Sequence, residues 1–287
     1  MISHFDHLTV LVHDVDAAAE AYAILLGRPA SWRGTHPELG RKTALFGLGN
    51  ALIELSGPLP DAMAMEAEGL RAHLAAHGEG LSALAFGTGD ADACSSELRA
   101  RGVRATPPEQ GQARGLDGST RSYRALELSP RTTRGLPVLV VERPDAQQLM
   151  AASDNAPDRA EALDHVVITT ADPGAALALY GQGLGLRLAL DKEMFGSRRL
   201  FFRVGRVTLE VVEDPKLSGE DKDRFFGAAY RVRDLEATHA RLRQAGLYVS
   251  DVRSGRKQGT GVFSLRDPLL GVPTLIIRDP SRDGASL

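Results

Sequence analysis

Phe5-Asp6-His7-Leu8-Thr9-Val10-Leu11-Val12 opens the chain as a short apolar run with a histidine near its start, and it returns as Leu163-Asp164-His165-Val166-Val167-Ile168-Thr169-Thr170. Side chains alternate across a strand, so His7, Thr9 and Leu11 share one face and Asp6, Leu8 and Val10 the other. Each copy runs into an acidic or proline-marked turn and then an alanine-rich helical pattern ending in Leu-Gly. In the first copy Asp14 or Asp16 supplies the cap, and Ala18, Tyr22, Leu25 and Leu26 supply one apolar helix face. Gly27 ends the helix, as a residue tolerant of positive φ does. An extended stretch at 29–33, a loop at 34–40 and two strand-like runs, 42–48 and 50–55, complete a strand, helix and three-strand unit.

The same unit recurs along the chain. Residues 60–77 read as a helical connector with Met63, Leu70 and Leu74 as its apolar positions. A second unit begins at Leu81, has a helix capped near Asp90 with Cys94 and Leu98 inward, and stops at Gly102. It continues through a long Gly-, Pro- and Gln-rich loop, 107–119, and strands at 121–128 and 136–142. His7, Tyr22 and Gly27 match His165, Tyr180 and Gly185 at one offset, and Phe46, Gly49 and Glu54 match Phe202, Gly205 and Glu210 at another. Asp90, Leu98 and Gly102 match Asp234, Leu242 and Gly246, and Gly135-Leu136-Pro137 matches Gly271-Val272-Pro273. The order is therefore A-B-A′-B′. The expected domains are 1–145 (modules 1–58 and 80–145) and 163–287 (modules 163–216 and 222–281), joined by a polar, alanine-rich linker at 146–162.

A chain of 287 residues can form two domains with their own cores. A net charge of −3 without a basic block gives no electrostatic case for nucleic acid or a membrane surface. No apolar run approaches the roughly 18 residues of a membrane helix. The opening residues do not resemble a secretory signal, and the single cysteine, Cys94, fits a reducing compartment. A cytoplasmic protein, monomer or homodimer, is expected.

A strand-helix-three-strand unit with a histidine in its first strand and Gly-x-x-x-[Ile/Leu]-Glu in its last resembles the vicinal oxygen chelate superfamily. That group includes glyoxalase I, methylmalonyl-CoA epimerase, extradiol dioxygenases and the bleomycin and fosfomycin resistance proteins. The resemblance covers nearly the whole chain and is greatest to glyoxalase-like proteins. It implies an α+β fold of four βαβββ modules in two tandem glyoxalase-like domains, paired into half-open barrels with a ligand cavity inside. It further implies one divalent ion (zinc, nickel, manganese or iron) held by His7, Glu54, His165 and Glu210, although a metal-free protein is equally compatible. The ion would act as a Lewis acid toward vicinal oxygens, with Glu54 and Glu210 as catalytic bases.

The even modules depart from this pattern. Counting along the sequence puts Leu81 and Phe225 at the first-strand positions and Val140 and Ile276 at the carboxylate positions, none of them ligands. One histidine and one glutamate then remain per odd–even pair, fewer than the three protein ligands of an ordinary catalytic centre. The two-histidine, one-carboxylate iron set is not met, so dioxygenase chemistry is disfavoured. Either Glu142, on the Val140 face, completes a site, or odd modules pair with each other. Arg41, Arg199 and Arg256 are candidates to bind a substrate carboxylate or phosphate. His13 and His36 are open either to a general-base role or to a plain surface position. Cys94 reads as a small core residue. Two functions follow: a glyoxalase-like protein that binds a small organic molecule, with metal-assisted isomerase, epimerase or lyase chemistry, or a non-catalytic binding or sequestering protein.

Overall fold

The computed structural model describes residues 1–150, 156–218 and 222–282. Four strand-helix-three-strand units follow one another. The first is β1 (His4–Leu11), α1 (Val15–Leu26), β2 (Trp32–His36), β3 (Arg41–Leu48) and β4 (Ala51–Pro58). Helix α2 (Met65–His77) leads to the second: β5 (Gly80–Gly87), α3 (Ala91–Ala100), β6 (Glu109–Gly115), β7 (Thr120–Glu127) and β8 (Val138–Glu142). Helix α4 (Ala146–Met150) lies in the expected linker, of which 151–155 fall outside the described residues. The third unit is β9 (Ala162–Thr170), α5 (Pro173–Leu177), β10 (Arg187–Met194), β11 (Ser197–Val204) and β12 (Val207–Glu213). The fourth is β13 (Arg224–Arg231), α6 (Leu235–Gln244), β14 (Arg253–Ser254), β15 (Gly261–Ser264) and β16 (Thr274–Arg278).

Local chemistry explains why the units repeat. Asp14, Asp90, Asp172 and Asp234 cap the four helices, each accepting from backbone N–H groups of the first turn. Gly27 closes α1 at φ 72°, a left-handed conformation that costs a residue with a Cβ. Helix α1 buries Ala18, Ala19, Tyr22, Leu25 and Leu26 against the sheet. Tyr22 packs on Phe46 at 6.2 Å between ring centroids, and its repeat Tyr180 packs on Phe202 at 5.6 Å. Cys94 is buried in the core, as its spacing predicts.

The two halves differ in closure. Strands β1–β8 form a closed barrel in the order β1-β4-β3-β2-β6-β7-β8-β5, whereas β9–β16 form an open eight-stranded sheet. The expectation of two half-open barrels is corrected accordingly. Odd modules pair with even ones, β1 with β5 and β9 with β13, both antiparallel. The N-terminal barrel is sealed where β2 meets β6, with Gly34 opposite Gly115 and Thr35 opposite Arg114. Strand β6 lies in the stretch expected to be a loop, and β2 runs on to His36 through the other expected loop. At the corresponding seam of the second sheet, β14 is two residues long and β10 is an edge.

Among the described residues no helix is long and apolar enough to cross a membrane.

Candidate functional site

The closed barrel encloses a cavity of about 640 Å³, within the range of small-molecule sites. Strand alternation decides what lines it. From β1 come His7, Thr9 and Leu11, and from β4 Glu54 and Ser56, while Leu8, Val10, Ile53 and Leu55 turn the other way into the apolar core. Strand β2 adds Trp32 and His36, β3 adds Arg41, Thr43 and Leu45, and β7 adds Arg121 and Tyr123. Arg143 and Asp145 follow β8, and Glu66, Leu70 and His73 of α2 close over the barrel. Arg71 fixes the approach to α2 by donating to the carbonyls of Leu59 at 2.7 Å, Pro60 at 3.0 Å and Ala62 at 2.9 Å. Leu70 and Leu74 thus pack as their spacing predicts, but Met63 is exposed.

His7 is held by a buried neighbour on the other side of its strand. Its Nδ1 lies 2.6 Å from Asp6 Oδ1, and Arg143 lies 3.1 Å from the same oxygen. Burial pushes the Asp6 carboxyl up, but Arg143 and His7 more than offset this and hold it below its ordinary value. Arg143 also comes within 3.4 Å of His7 Nδ1, and the other ring nitrogen, Nε2, lies 3.8 Å from Glu54 Oε2. That distance is too long for a hydrogen bond. Arg41 Nη1 is likewise 4.0 Å from Glu54 Oε1 and 3.8 Å from Glu66. Burial raises Glu54, yet His7, Arg41, His36 and Arg143 together bring it below the usual carboxylate range. Glu54 is thus an ionised acceptor facing the cavity.

His36, open from sequence to a surface position, is buried in the cavity wall with its Nδ1 3.2 Å from the Tyr123 hydroxyl. Burial, with Arg41 adding, lowers its pKa to about 4, so the ring is neutral at neutral pH. His13 is exposed, and its backbone N–H donates to Glu79 at 2.8 Å. Arg121 donates to Asp145 at 2.7 Å and lies 5.0 Å from the centre of the Trp32 ring. Trp32, Arg121, Tyr123 and Arg143 went unremarked in the sequence, because their strands are assembled by long-range pairing and carry no repeated motif.

The second half keeps the same side chains in a different state. His165 Nδ1 is 2.9 Å from Asp164, and its Nε2 is 3.9 Å from Glu210. Arg199, which stands where the first half has Thr43, donates to Glu210 at 2.7 Å. Phe195, at the turn between β10 and β11, packs on Arg256 at 4.6 Å and faces Arg199 at 5.8 Å. Lys257 pairs with Asp279 at 2.7 Å.

The even modules carry no ligands, but at positions other than those counted from the sequence. His7 and His165 stand seven residues before the capping Asp14 and Asp172, and that spacing from Asp90 and Asp234 gives Ala83 and Gly227. Glu54 pairs with Thr9 and Glu210 with Val167; the matching pairs are Ala85 with Leu139 and Ala229 with Leu275. Ala83 and Leu139 line the cavity, while Val140 faces the core. Glu142 shares the outward face of Val140, where it accepts from Ala91 N–H at 2.8 Å and lies 3.5 Å from Arg124. It does not reach the cavity. Among the described residues, no group of three or more histidine, cysteine, aspartate or glutamate side chains is placed to hold a metal ion. His7 with Glu54, and His165 with Glu210, are pairs of donors that do not fit the superfamily's metal centre.

Comparison with known proteins agrees with the repeat. Residues 5–185 match the glyoxalase-like domain family, and residues 162–281 match the glyoxalase/bleomycin resistance protein/dioxygenase superfamily. A mutant of 4-hydroxymandelate synthase from Streptomyces coelicolor has the same fold, with a TM-score of 0.67, 15% identity, and 96% of this chain and 92% of that one covered. A hypothetical protein from Staphylococcus aureus superposes with a TM-score of 0.65 at 10% identity over 96% of this chain and 99% of the other. Methylmalonyl-CoA epimerase from Mycobacterium tuberculosis aligns with 52% of this chain and 92% of its own, with 28% identity and a TM-score of 0.40. No curated protein matches the sequence. Two glyoxalase-type domains span most of the chain, which belongs to the glyoxalase/bleomycin resistance protein/dioxygenase superfamily.

Proposed function

We propose that the N-terminal barrel binds a small organic molecule, and that His7 and Glu54 serve there as polar groups of the binding wall. The observation that carries this reading is the barrel cavity of about 640 Å³ with an ionised Glu54 whose nearest cationic groups among the described residues, His7 and Arg41, stay 3.8 and 4.0 Å away. A buried acceptor without a direct partner gains most from a ligand donor. The second half lacks both features, since its sheet is open and Arg199 already occupies Glu210. Two-donor pairs give poor support for metal-assisted isomerase, epimerase or lyase chemistry.

Trp32, the single tryptophan, lines the cavity and reports on occupancy. A fluorescence screen of small polar organic molecules should give saturable changes that disappear in Ala83→Phe, which fills the cavity. Hits that bind Ala83→Phe equally well would place binding elsewhere and end this reading. A second reading, metal-free proton transfer by Glu54, draws on the same unbonded carboxylate, but a lowered pKa makes it a weak base. Exchange of a bound ligand's C–H hydrogen with solvent deuterium, lost in Glu54→Gln, would move the conclusion to that reading.

A further inference from the structure

We propose that the ligand of the N-terminal barrel carries a carboxylate, received by the Arg121 guanidinium where it lies against the Trp32 ring. The inference rests on the barrel being the binding site and adds the chemical class of what enters it. Arg121 reaches the cavity from β7 and Trp32 from β2, and the guanidinium carbon stands 5.0 Å from the ring centre. Asp145 accepts from Arg121 Nε at 2.7 Å and so fixes the head from one side. Arg121 Nη1 is buried without a hydrogen-bond partner among the described residues, and so is Trp32 Nε1. Glycines at the β2–β6 seam make room for this pair. A Cβ on Gly34 would meet the Trp32 ring at 2.4 Å, and one on Gly115 would come within 3.2 Å of Trp32 Nε1.

What this pair lacks is an acceptor. The other arginines of the cavity, Arg41 and Arg143, also keep a buried Nε without a partner. A buried donor gains from an acceptor, and a guanidinium fork matches the two oxygens of a carboxylate. The carboxylates of the wall leave the need unfilled. Glu66, Glu109 and Glu127 are exposed, Asp145 is already taken by Arg121 Nε, and Glu54 lies beside His7 and Arg41. The charges agree: Arg41, Arg143 and Arg121 all add to burial in lowering the pKa of His36, against Glu54. Arg41 sits between Glu54 and Glu66, and Arg143 lies 3.1 Å from Asp6. One fork is therefore left for one negative charge. A phosphate monoester, with close to two charges, is the poorer match.

Four probes of matched shape test this on the full chain: cyclohexanecarboxylate, cyclohexanecarboxamide, cyclohexylmethylamine and cyclohexylphosphonate. Ligand-observed NMR reads all variants, and Trp32 fluorescence reads the unaltered chain. The carboxylate should bind about tenfold tighter than the other three, or more. Arg121→Gln combined with Asp145→Asn, which avoids stranding the aspartate, should weaken the carboxylate about tenfold and leave the carboxamide within about twofold. If that variant fails to fold, the ranking of the four probes on the unaltered chain decides. A carboxylate preference that persists in the folded variant overturns Arg121 as its receiver. Equal or tighter binding of the amide, amine or phosphonate, lost in Ala83→Phe, overturns the carboxylate assignment while the barrel remains the site. Failure of all four probes, or binding that survives Ala83→Phe, overturns both.

Discussion

At the scale of single residues, the cavity depends on groups whose charge is set by burial and by one or two neighbours. His36 shows this most directly. Its pKa falls from 6.5 in the unfolded chain to about 4 when folded, so the unfolded state binds the extra proton between those values. Stability is therefore complete above pH 6.5 and is lost as the pH falls toward 4, by about 3 kcal/mol in all. Urea unfolding at pH 7.5, 5.5 and 4.5 should show this loss, and His36→Phe should flatten it. A wild-type curve that is flat over that window would refute the buried neutral histidine. Asp6 and Glu54, both held below their ordinary values, lose their contribution at lower pH, so the two effects separate along the titration.

At the scale of elements, the β2–β6 seam decides whether a sheet becomes a container. At Gly34 an added Cβ would meet the Arg114 carbonyl at 2.3 Å and the Trp32 ring at 2.4 Å. Gly34→Ala should therefore cost about 2 kcal/mol and loosen the seam, seen as a lower urea midpoint and faster amide exchange in β2 and β6. Unchanged exchange in both strands would show that the seam tolerates the methyl group. Among the described residues the second sheet has no such pairing, since β14 is two residues long and β10 is an edge, and the Phe195 ring packs on Arg256 on that side. Helix α2 is the other element particular to the first half; Glu66, Leu70 and His73 place it over the cavity.

At the scale of the whole molecule, the two halves are joined through the same turn that joins β3 to β4. Asn50 accepts from Leu163 N–H at 2.9 Å and donates to the Leu163 carbonyl at 2.8 Å, and Gly49 N–H donates to the Glu161 carbonyl at 2.8 Å. Arg134 and Asp223 add an ion pair at 2.9 Å, and Arg241 donates to the Leu25 carbonyl beyond which α1 ends. Asn50→Ala removes both side-chain bonds to one buried backbone position, at an expected cost of about 2–3 kcal/mol. The calorimetric transition should then fall in temperature or split in two; a trace identical to wild type would show that the turn does not couple the halves.

The sequence by itself determined the fourfold repeat, its helix caps and the inward face of β1, because all three rest on local spacing: aspartate before a helix, glycine after it, alternation along a strand. It also placed His7 and Glu54 in positions equivalent to His165 and Glu210. Only the tertiary structure decided that one copy encloses a cavity while the other stays open. That outcome turns on β6, whose Gln- and Gly-rich residues become a strand by pairing with β2 and β7 and not through local propensity. Register was equally hidden: a one-residue shift along β8 separates core-facing Val140 from cavity-lining Leu139, and only the pairing with β5 fixes it. The different states of two carboxylates in matching positions, Glu54 unbonded and Glu210 held by Arg199, likewise emerge only when the strands are in place.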